Sequence, residues 1–222
     1  RGIALEMHGT TCAGDATRLA ARIAAENKVD LVIAAGGDGT INEVANGLAG
    51  SSMPLAILPL GTANVLAAEI GVGRRAREIA KAIATAPIKP TWLGVANGRR
   101  FVLMAGVGFD AGVVENVDLA LKRKIGRGAY FLTILRNWLR FENRRYRVTV
   151  DGETRFAASA IISRARYYGG TYVVSPKASL DKDSMEVCLF LKPGRWRALR
   201  HMVWLALGRL EKLPDVEWLS GR

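Results

Sequence analysis

The feature of the sequence that most constrains the fold is a glycine-rich turn between a short apolar run and a helical pattern. Residues 31–35 read LVIAA, residues 36–40 read GGDGT, and residues 41–48 carry apolar side chains at helical spacing. A short continuous apolar run is typical of a strand buried on both faces of a parallel sheet. The arrangement predicts a strand–loop–helix unit whose backbone N–H groups converge at the helix N-terminus, where they attract an anion.

Units of the same kind recur through the first part of the chain. Repeated alternation of strands and helices indicates a three-layer α/β domain, with a parallel sheet between helices on both faces. Pro87 and Pro90 interrupt the pattern, so we place the domain boundary between residues 89 and 90. The elements predicted for residues 1–89 are strands over 2–8, 31–35 and 55–58, a helix with Asp15 as its N-cap, and helices over 41–48, 65–70 and 75–84.

The second part of the chain, residues 90–222, has hairpin signals in place of that alternation. Asn97-Gly98 and Asp151-Gly152 each separate two strand-like runs, and both dipeptides favour the tight turns of β-hairpins. We therefore predict an antiparallel, β-sandwich-like domain with inserted helices. Its predicted elements are hairpins of 92–96 with 101–105 and of 146–150 with 155–163, a basic stretch over 117–141, a strand over 185–191 and a helix over 196–207.

Positive charge is concentrated in this second domain. The chain has 222 residues and a formal net charge of +12; residues 1–90 hold nine Lys and Arg against eight Asp and Glu, and residues 91–222 hold 23 against 12. A basic surface attracts nucleic acid, an anionic membrane or a phosphorylated ligand. The sequence lacks the interleaved aromatic residues of single-stranded nucleic-acid platforms and any apolar run near the ~20 residues that span a bilayer. We therefore expect no nucleic-acid partner and no transmembrane segment.

Several residues that carry chemistry in other proteins have simpler interpretations here. Cys12 and Cys188 form neither a disulfide framework nor a metal motif, so we expect both to be buried apolar residues in a reducing compartment. His8 and His201 are isolated from other metal ligands, which favours structural roles. Residues 195–209 form a basic stripe with Trp and Leu that suits a membrane surface, but we expect the stripe to be packed against its own domain.

The aspartate within the glycine-rich turn specifies its chemistry. Asp38 would repel a phosphate unless a cation or an acceptor hydroxyl group lies between them, so the turn favours phosphoryl transfer with Mg²⁺ over passive phosphate binding. The spacing excludes the P-loop, because no Lys follows, and the dinucleotide fingerprint, because Asn42 stands where its third Gly is required. Glu43, one turn into the helix, holds the loop or a metal-bound water, or is a solvated helix residue.

A second polar loop follows the next predicted strand. Ligands of doubly wound sheets lie beyond the carboxyl ends of the strands. The loop at 61–64 and Thr10, which follows the first predicted strand, should therefore open on the same edge as residues 36–40. We expect these three strand ends to form a polar rim around a phosphate chain.

Four ordered motifs make the sequence similar to the bacterial diacylglycerol kinase-like lipid kinases, whose relatives include sphingosine and ceramide kinases. The motifs are GGDGTINEV at 36–44, LPLGTANVLA at 58–67, AGVGFDA at 105–111 and YYGGTYVVSPKA at 167–178. The resemblance covers nearly the whole chain and implies a nucleotide-binding α/β domain, a β-rich lipid-facing domain and ATP in the cleft between them. It implies catalytic roles for Asp38, at the metal and acceptor, and for Asp110, facing the cleft. The implied nucleotide-binding residues are Thr10, Gly36, Gly37, Asp38, Gly39, Thr40, Asn42, Glu43, Gly61, Thr62 and Asn64.

Three departures from the family pattern bear on the site. The family usually begins with a strand and an Asn-Pro turn, and it supplies its general base from an Asp-Gly-Glu segment near the C-terminus. We expect the chain to start after the first of these and the second to lie beyond Arg222. The family's Asp-Asp-Gly metal turn reads Asp181-Lys182-Asp183 here, so Asp181 and Asp183 are the candidate Mg²⁺ ligands.

The resulting hypothesis is an ATP-dependent lipid kinase that transfers the γ-phosphoryl group to a lipid hydroxyl group such as that of diacylglycerol. Expected cofactors are ATP and Mg²⁺, and the expected partner is a lipid acceptor at a membrane surface in phospholipid biosynthesis. The expected location is cytoplasmic and peripherally membrane-associated, and a homodimer is left open. Two alternatives are an NAD kinase-like phosphotransferase, which shares GGDGT, and a nucleotide- or membrane-binding protein without turnover. The 61–64 loop, the GFDA element and the basic second domain favour a lipid over NAD.

Overall fold

The structure is a computed structural model that describes residues 3–73, 75–109, 111–112, 133, 135–139 and 143–222. The chain forms two compact units, Arg1–Leu60 and Gly61–Arg222. The boundary between residues 89 and 90 stays a prediction. Asp110, the second predicted catalytic residue, and most of the basic stretch over 117–141 lie outside the described residues.

The first unit is built on two parallel strands. β1 (Val32–Gly36) pairs with β2 (Leu55–Pro59) in a register that sets Gly36 opposite Pro59. Helix α1 (Asp15–Glu26) precedes β1, and α2 (Asp38–Leu48) follows it. This order confirms the predicted α/β arrangement with a parallel sheet. The buried apolar side chains of the unit are Ala16, Ala20, Ala34, Ile41, Val44, Ala45, Leu48 and Ile57.

Helices α1 and α2 approach each other closely because α2 has a glycine at the contact. A Cβ atom at Gly47 would lie 2.3 Å from the Thr17 carbonyl oxygen and 2.7 Å from the Ala20 Cβ atom. The Thr17 hydroxyl group also donates to the Glu43 carbonyl oxygen at 3.0 Å. These contacts fix α2, and therefore its N-terminus at the end of β1, against α1.

Three expectations for the first unit are wrong. The segment over 2–8 is not a strand: its described residues are irregular, and Ile3, Leu5 and Met7 are exposed. An alternating pattern forms a strand only beside another strand, and no strand pairs with the described part of this segment. Asp15 is the first residue of α1 instead of its N-cap, which is Gly14 with φ +85°. β1 is only partly buried, since Ala34 is its one buried residue.

The described elements of the second unit are α3 (Val65–Glu69), α4 (Ala76–Thr85), β3 (Gly94–Ala96), β4 (Arg99–Phe101), β5 (Met104–Val107), β6 (Tyr146–Val150), β7 (Glu153–Ala157), β8 (Ser159–Ser163), β9 (Tyr167–Tyr168), β10 (Tyr172–Val173), β11 (Met185–Phe190), α5 (Arg195–Ala206), a 3₁₀ helix (Leu210–Lys212) and β12 (Val216–Gly221). Four of the strands form an antiparallel sheet in the order β12-β11-β8-β5, which confirms the predicted change of architecture. Two separate hairpins, β3–β4 and β6–β7, turn at Asn97 (φ +50°) and Asp151 (φ +47°), each followed by a glycine with positive φ.

Two predicted strands of the second unit are each divided. The run over 101–105 contributes to both β4 and β5, and the run over 155–163 contributes to both β7 and β8. The division occurs because one half of each run completes a hairpin while the other half joins the four-stranded sheet. Two apolar clusters form on this sheet, one around Ile161 and Cys188, which are 3% and 0% exposed, and one around Leu189, which is 0% exposed.

Two further expectations are decided by exposure. Cys188 is buried as expected, whereas Cys12 is exposed, because it lies in the irregular segment before α1. Most of the stripe of α5 is not packed against its own domain, since Trp196, Val203 and Leu207 are all exposed. Within the described residues, no helix combines the length and the apolar character that a membrane crossing requires.

Candidate functional site

The predicted phosphate loop lies between β1 and α2, and Gly37 alone separates the two elements. Gly37 is extended, with φ −87° and ψ −179°, and the Ile41 N–H group donates to its carbonyl oxygen at 3.0 Å. The Leu60 N–H group donates to the Gly36 carbonyl oxygen at 2.9 Å, which holds the end of β2 beside the turn. N–H groups in the first turn of a helix have no partner within the helix, and the helix dipole adds positive potential there. The end of α2 is therefore suited to bind a phosphate.

Two of the glycines have different reasons to lack a side chain. A Cβ atom at Gly36 would lie 2.7 Å from both Cβ and Oγ1 of Thr40, so the missing side chain lets Thr40 fold back over the end of β1. At Gly39, an added Cβ atom would meet none of the described atoms within 4 Å. Gly36 therefore serves the internal packing of the turn, whereas Gly39 leaves the outer side of α2 open to a ligand.

Asp38 and Glu43 lie on the same helix but have different environments. Asp38 is the first residue of α2 and is half-buried. The Glu43 carboxylate lies one turn further on and accepts a hydrogen bond from the Gly14 N–H group at 3.0 Å. Of the interpretations left open for Glu43, the structure favours the one in which it holds a loop, because its carboxylate fixes the start of α1 onto α2.

Asp15 organises the turn that follows Thr10. Its carboxylate accepts hydrogen bonds from the Thr11 N–H group (2.9 Å), the Thr11 hydroxyl group (2.8 Å) and the Cys12 N–H group (3.0 Å). These hydrogen bonds, first of all the one from the Thr11 backbone, hold the pKa of Asp15 well below its usual range. The sequence patterns did not indicate this role; an Asp four residues after a Thr in a polar turn was the available signal.

Thr10 itself lies on an exposed, open cleft of about 590 Å³ within the first unit. The other lining residues are Met7, His8, Gly9, Asp15, Arg18, Leu19 and Arg22, so residues 36–40 do not line it. Thr11, the residue after Thr10, is hydrogen-bonded to Asp15, and Gly14, the residue before Asp15, is hydrogen-bonded to Glu43 on α2. The structure thus connects the segment after Thr10 to α2 but does not place Thr10 and the glycine-rich turn in one cavity.

The second predicted loop, residues 61–64, is closed by its own asparagine. Asn64 is the N-cap residue of α3 and has left-handed backbone angles, with φ +50°. Its side-chain oxygen accepts from the Gly61 N–H group and its side-chain nitrogen donates to the Gly61 carbonyl oxygen, both at 2.8 Å. The Asn64 amide therefore shapes the loop through hydrogen bonds to Gly61 on both its oxygen and its nitrogen.

Helix α3, which carries this loop, is tied to the YYGG motif by Glu69, a residue that the sequence patterns did not single out. The Glu69 side chain is 6% exposed. Its carboxylate accepts from the backbone N–H groups of Arg166 (3.0 Å) and Tyr167 (3.2 Å) and from Arg166 Nε (3.2 Å). Two of the four recognised motifs are thereby held together within the second unit.

The turn of the candidate metal ligands is built over a buried arginine. Arg164 is 2% exposed and donates through its guanidinium group to the carbonyl oxygens of Lys182, Ser184 (3.1 Å) and Leu180 (3.4 Å). Burial lowers the pKa of Arg164, and the charge of Asp183 opposes that shift. Sequence patterns did not indicate a role for Arg164, since a buried guanidinium needs partners that only the folded turn supplies.

The donors of this turn fit Mg²⁺ only together with a further ligand. Asp181 and Asp183 are exposed carboxylates, the oxygen donors that Mg²⁺ prefers. Asp183 Oδ2 lies 3.0 Å from Arg222 Nη2, so Asp181 is the less engaged of the two. Among the described residues, no group of three or more Asp, Glu, His or Cys side chains could hold a metal. Because Mg²⁺ is usually held by one or two carboxylates plus substrate phosphates, the turn suits a metal that arrives with a nucleotide.

Comparison with known proteins gives the family context of this site. The family described as "Diacylglycerol kinase catalytic domain" matches residues 1–96, and the one described as "YegS C-terminal NAD kinase beta sandwich-like domain" matches residues 104–222. The second description agrees with the predicted sandwich-like architecture.

Individual relatives agree with both matches. A diacylglycerol kinase of Bacillus subtilis is 34% identical over 96% of this chain and 71% of its own length. A Pseudomonas aeruginosa protein named "probable lipid kinase YegS-like" is 36% identical over 81% of this chain and 60% of its own. The crystal structure of a diacylglycerol kinase from Bacillus anthracis str. Sterne matches with a TM-score of 0.73 and 29% identity, over 96% of this chain and 71% of that one. The chain thus spans 60–71% of the length of these three proteins.

Proposed function

The chain belongs to the diacylglycerol kinase family of lipid kinases, and from that premise we propose that it transfers the γ-phosphoryl group of ATP to a lipid hydroxyl group such as that of diacylglycerol. The observation that carries the proposal is the turn between β1 and α2, where Gly36, Gly37 and Gly39 surround Asp38 at a helix N-terminus. Relatives named diacylglycerol kinase and lipid kinase support the reaction class. ATP as donor and diacylglycerol as acceptor are parts of the proposal.

The residues of the first turn of α2 would bind the transferred phosphoryl group. The N–H groups of Gly39 and Thr40 would donate to its oxygens, where they stabilise the charge that spreads over them in the transition state. The reaction breaks the bond between the γ-phosphorus and the ADP oxygen and forms one to the lipid oxygen, whose proton leaves to a base. Mg²⁺, when bound, neutralises phosphate charge.

Asp38 would orient the acceptor hydroxyl group and the metal, because a carboxylate placed next to phosphate without such a partner would repel it. We assign the remaining nucleotide contacts to Thr10, Thr62 and the backbone of residues 61–64, and the metal contacts to Asp181 first and Asp183 second. Glu43 and Asn64 act by positioning, since their side chains hold Gly14 and Gly61. Asp110 remains a proposed catalytic residue by resemblance alone.

The test uses the complete protein with labelled ATP and Mg²⁺. Separate reactions offer diacylglycerol, phosphatidylglycerol, a sphingoid base, NAD and no acceptor. Label in a chloroform-extractable product of diacylglycerol supports the proposal. Label in NAD favours the NAD kinase-like alternative, and nucleotide binding without transfer favours a protein without turnover.

Two variants test the role of Asp38. Asp38→Ala is expected to reduce transfer by about 100-fold or more, as loss of a transition-state contact does, while stability to urea falls by no more than about 1 kcal/mol, the contribution of an acidic residue at a helix N-terminus. Asp30→Ala removes an exposed carboxylate from the same unit and should leave transfer unchanged. Full activity of Asp38→Ala would refute its assigned role.

A further inference from the structure

Helix α5 exposes a continuous apolar stripe. Trp196, Leu199, Val203 and Leu207 are 64%, 38%, 48% and 62% exposed. Their spacing of three or four residues places them on one face of the helix. An exposed face of this kind is unusual on a soluble surface unless it meets a partner.

The opposite face of α5 is anchored, so the stripe is fixed in its outward orientation. His201 is 6% exposed, and its Nε2 atom lies 3.1 Å from Asp215 Oδ2. The His201 ring also contacts the Phe190 ring at a centroid distance of 4.9 Å. Arg197 and Arg200, four residues and one residue before His201, bind the same buried Asp215 carboxylate. Rotation of the helix to bury the stripe would break all of these contacts.

A neighbouring segment extends the stripe. The ring of Trp138 packs edge-on against Trp196 at 5.1 Å, and its Nε1 atom donates to the Arg195 carbonyl oxygen at 2.8 Å. Leu135 and Leu139, on the same segment, are 41% and 62% exposed. We define the α5 patch as Leu135, Trp138, Leu139, Trp196, Leu199, Val203 and Leu207.

The segment that carries α5 is rich in positive charge. Residues 192–209 contain five Lys and Arg and no Asp or Glu. The Arg195 guanidinium group lies 5.7 Å from the ring centroids of both Trp138 and Trp196. Arg197 and Arg200 share the single carboxylate of Asp215, so positive charge is left over beside the stripe.

We propose that the α5 patch docks the protein on an anionic phospholipid bilayer, with α5 parallel to the surface. Trp196, Val203 and Leu207 would enter the boundary between headgroups and acyl chains, and Arg195 would meet lipid phosphates. The charge favours a bilayer over a second copy of the chain, because a symmetric dimer would bring two cationic rims together, whereas anionic lipid compensates them. The choice of lipid also rests on the proposed function, since the acceptor resides in a membrane.

The test measures binding of the full chain to vesicles without nucleotide. Vesicles of phosphatidylglycerol and phosphatidylcholine in equal parts are compared with phosphatidylcholine alone by co-sedimentation. We expect at least tenfold stronger partitioning to the anionic vesicles and a decrease with added salt. No binding, or equal binding to both vesicles, would overturn the proposal.

A matched pair of variants locates the docking surface. Val203→Glu places a carboxylate in the α5 patch and should weaken partitioning by about tenfold or more. It removes an apolar side chain that would be buried in the bilayer, and it adds a negative charge that the anionic lipids repel. Val95→Glu makes the same change on β3, where Val95 is 61% exposed, and should leave partitioning unchanged. An equal loss in both variants would contradict the assignment to α5.

Two further outcomes separate this inference from its alternatives. If the wild type is dimeric in light scattering and Val203→Glu is monomeric, the patch is a dimer interface and the docking proposal fails. Transfer to a detergent-dispersed acceptor without vesicle binding overturns the docking proposal but leaves the kinase proposal standing. Vesicle binding by the α5 patch without transfer to any acceptor supports the docking proposal but overturns the kinase proposal.

Discussion

The two compact units of the molecule are stabilised in different ways. In the first unit, close contacts form where a side chain is missing: Gly47 lies against α1, and Gly36 lies beneath Thr40. In the second unit, polar and charged side chains are themselves buried. Among the described residues, every buried polar or charged side chain belongs to the second unit: Thr133, Ser159, Ser163, Arg164, Ser175, Glu186, His201 and Asp215.

This difference predicts what each unit tolerates. A unit that depends on close approach is sensitive to added volume, because an interior at crystal-like density cannot absorb a methyl group. A unit that buries charge is sensitive to the loss of a hydrogen-bond partner and to pH, because an unpaired buried ion is costly. The two predicted loops follow the same division, since the first is shaped by glycines and the second by Asn64.

The largest effect is expected for Gly47→Ala. The new Cβ atom would lie 2.3 Å from the Thr17 carbonyl oxygen, so α1 and α2 must separate. We expect a loss of about 3 kcal/mol in the free energy of unfolding, measured with urea.

Gly39→Ala is the control in the same helix. Since its Cβ atom would meet none of the described atoms within 4 Å, the better helix propensity of Ala should raise stability by about 0.5–1 kcal/mol. The methyl group would also stand on the side of α2 assigned to phosphate, so nucleotide binding should fall. Equal destabilisation by both substitutions would show that volume is not what limits the first unit.

The second largest effect is expected for Glu69→Gln in the second unit. The carboxylate accepts three hydrogen bonds while 6% exposed, and an amide would set an NH₂ group against an N–H donor. A loss of about 2 kcal/mol is expected in urea unfolding. Glu78→Gln on α4, whose side chain is 50% exposed, should change stability by less than about 0.5 kcal/mol. If Glu69→Gln left stability unchanged, the second unit would not depend on its buried charged side chains in the way that distinguishes it from the first.

Sequence periodicity predicted the elements whose burial follows from local pattern. The strands at 31–35 and 55–58 and the helix at 65–70 were predicted within one residue at each end, because a short apolar run bounded by turn residues has few other solutions. The helix predicted over 41–48 ends where expected but begins three residues earlier, at Asp38. The turns at Asn97 and Asp151 followed from residues that accept positive φ. The position of Asp38 at a strand-to-helix junction was likewise available from sequence.

Other features depend on partners that are distant in the chain, so sequence could not supply them. The segment at 2–8 has a strand pattern, but no strand lies beside its described residues. The predicted strand over 155–163 is divided because its first half pairs with β6 and its second half with β11. The contact from Glu69 to Arg166 spans 97 residues, and that from Glu43 to Gly14 spans 29. The amphipathic pattern of α5 was visible in the sequence, but the sequence did not show which face is buried. The contact of His201 with Asp215 determines that face.

A smaller effect is expected at Asn64, where two substitutions separate two contributions. Asn64→Gly keeps the left-handed conformation but loses both hydrogen bonds to Gly61, which should lower stability by about 1 kcal/mol. Asn64→Ala loses the same hydrogen bonds and, unlike Gly, keeps a Cβ atom at φ +50° without the local hydrogen bonds that let Asn adopt this conformation, which should bring the loss to about 1.5 kcal/mol. Equal losses, measured in urea, would show that hydrogen bonding alone shapes this loop. Both variants should also raise KM for ATP if the loop contacts nucleotide.

The smallest effect is the response of stability to mild acid, which should be confined to the second unit. Burial lowers the pKa of His201, and the charges of Arg200 and Arg197 add to this, although the hydrogen bond to Asp215 opposes it. Below about pH 6.5 the unfolded chain therefore takes up a proton that folded His201 does not, so stability falls as pH falls. Burial alone would raise the pKa of Asp215, but the hydrogen bond and charge of His201 and the charge of Arg200 outweigh this effect, so the pKa is lowered. The contribution of Asp215 to stability is therefore lost only below about pH 4.

The expected loss from pH 7.5 to 5.5 is about 1 kcal/mol, since a single group changes stability by at most about 1.4 kcal/mol per pH unit. Amide hydrogen exchange should show the loss in β11, β12 and α5 and no change in β1 and α2. In the first unit, the lowered pKa of Asp15 matters only below about pH 4. His201→Gln should flatten the dependence, whereas His8→Gln, on the exposed segment of the first unit, should leave it intact. A slope that survives His201→Gln would assign the acid sensitivity to another group and weaken the distinction between the two units.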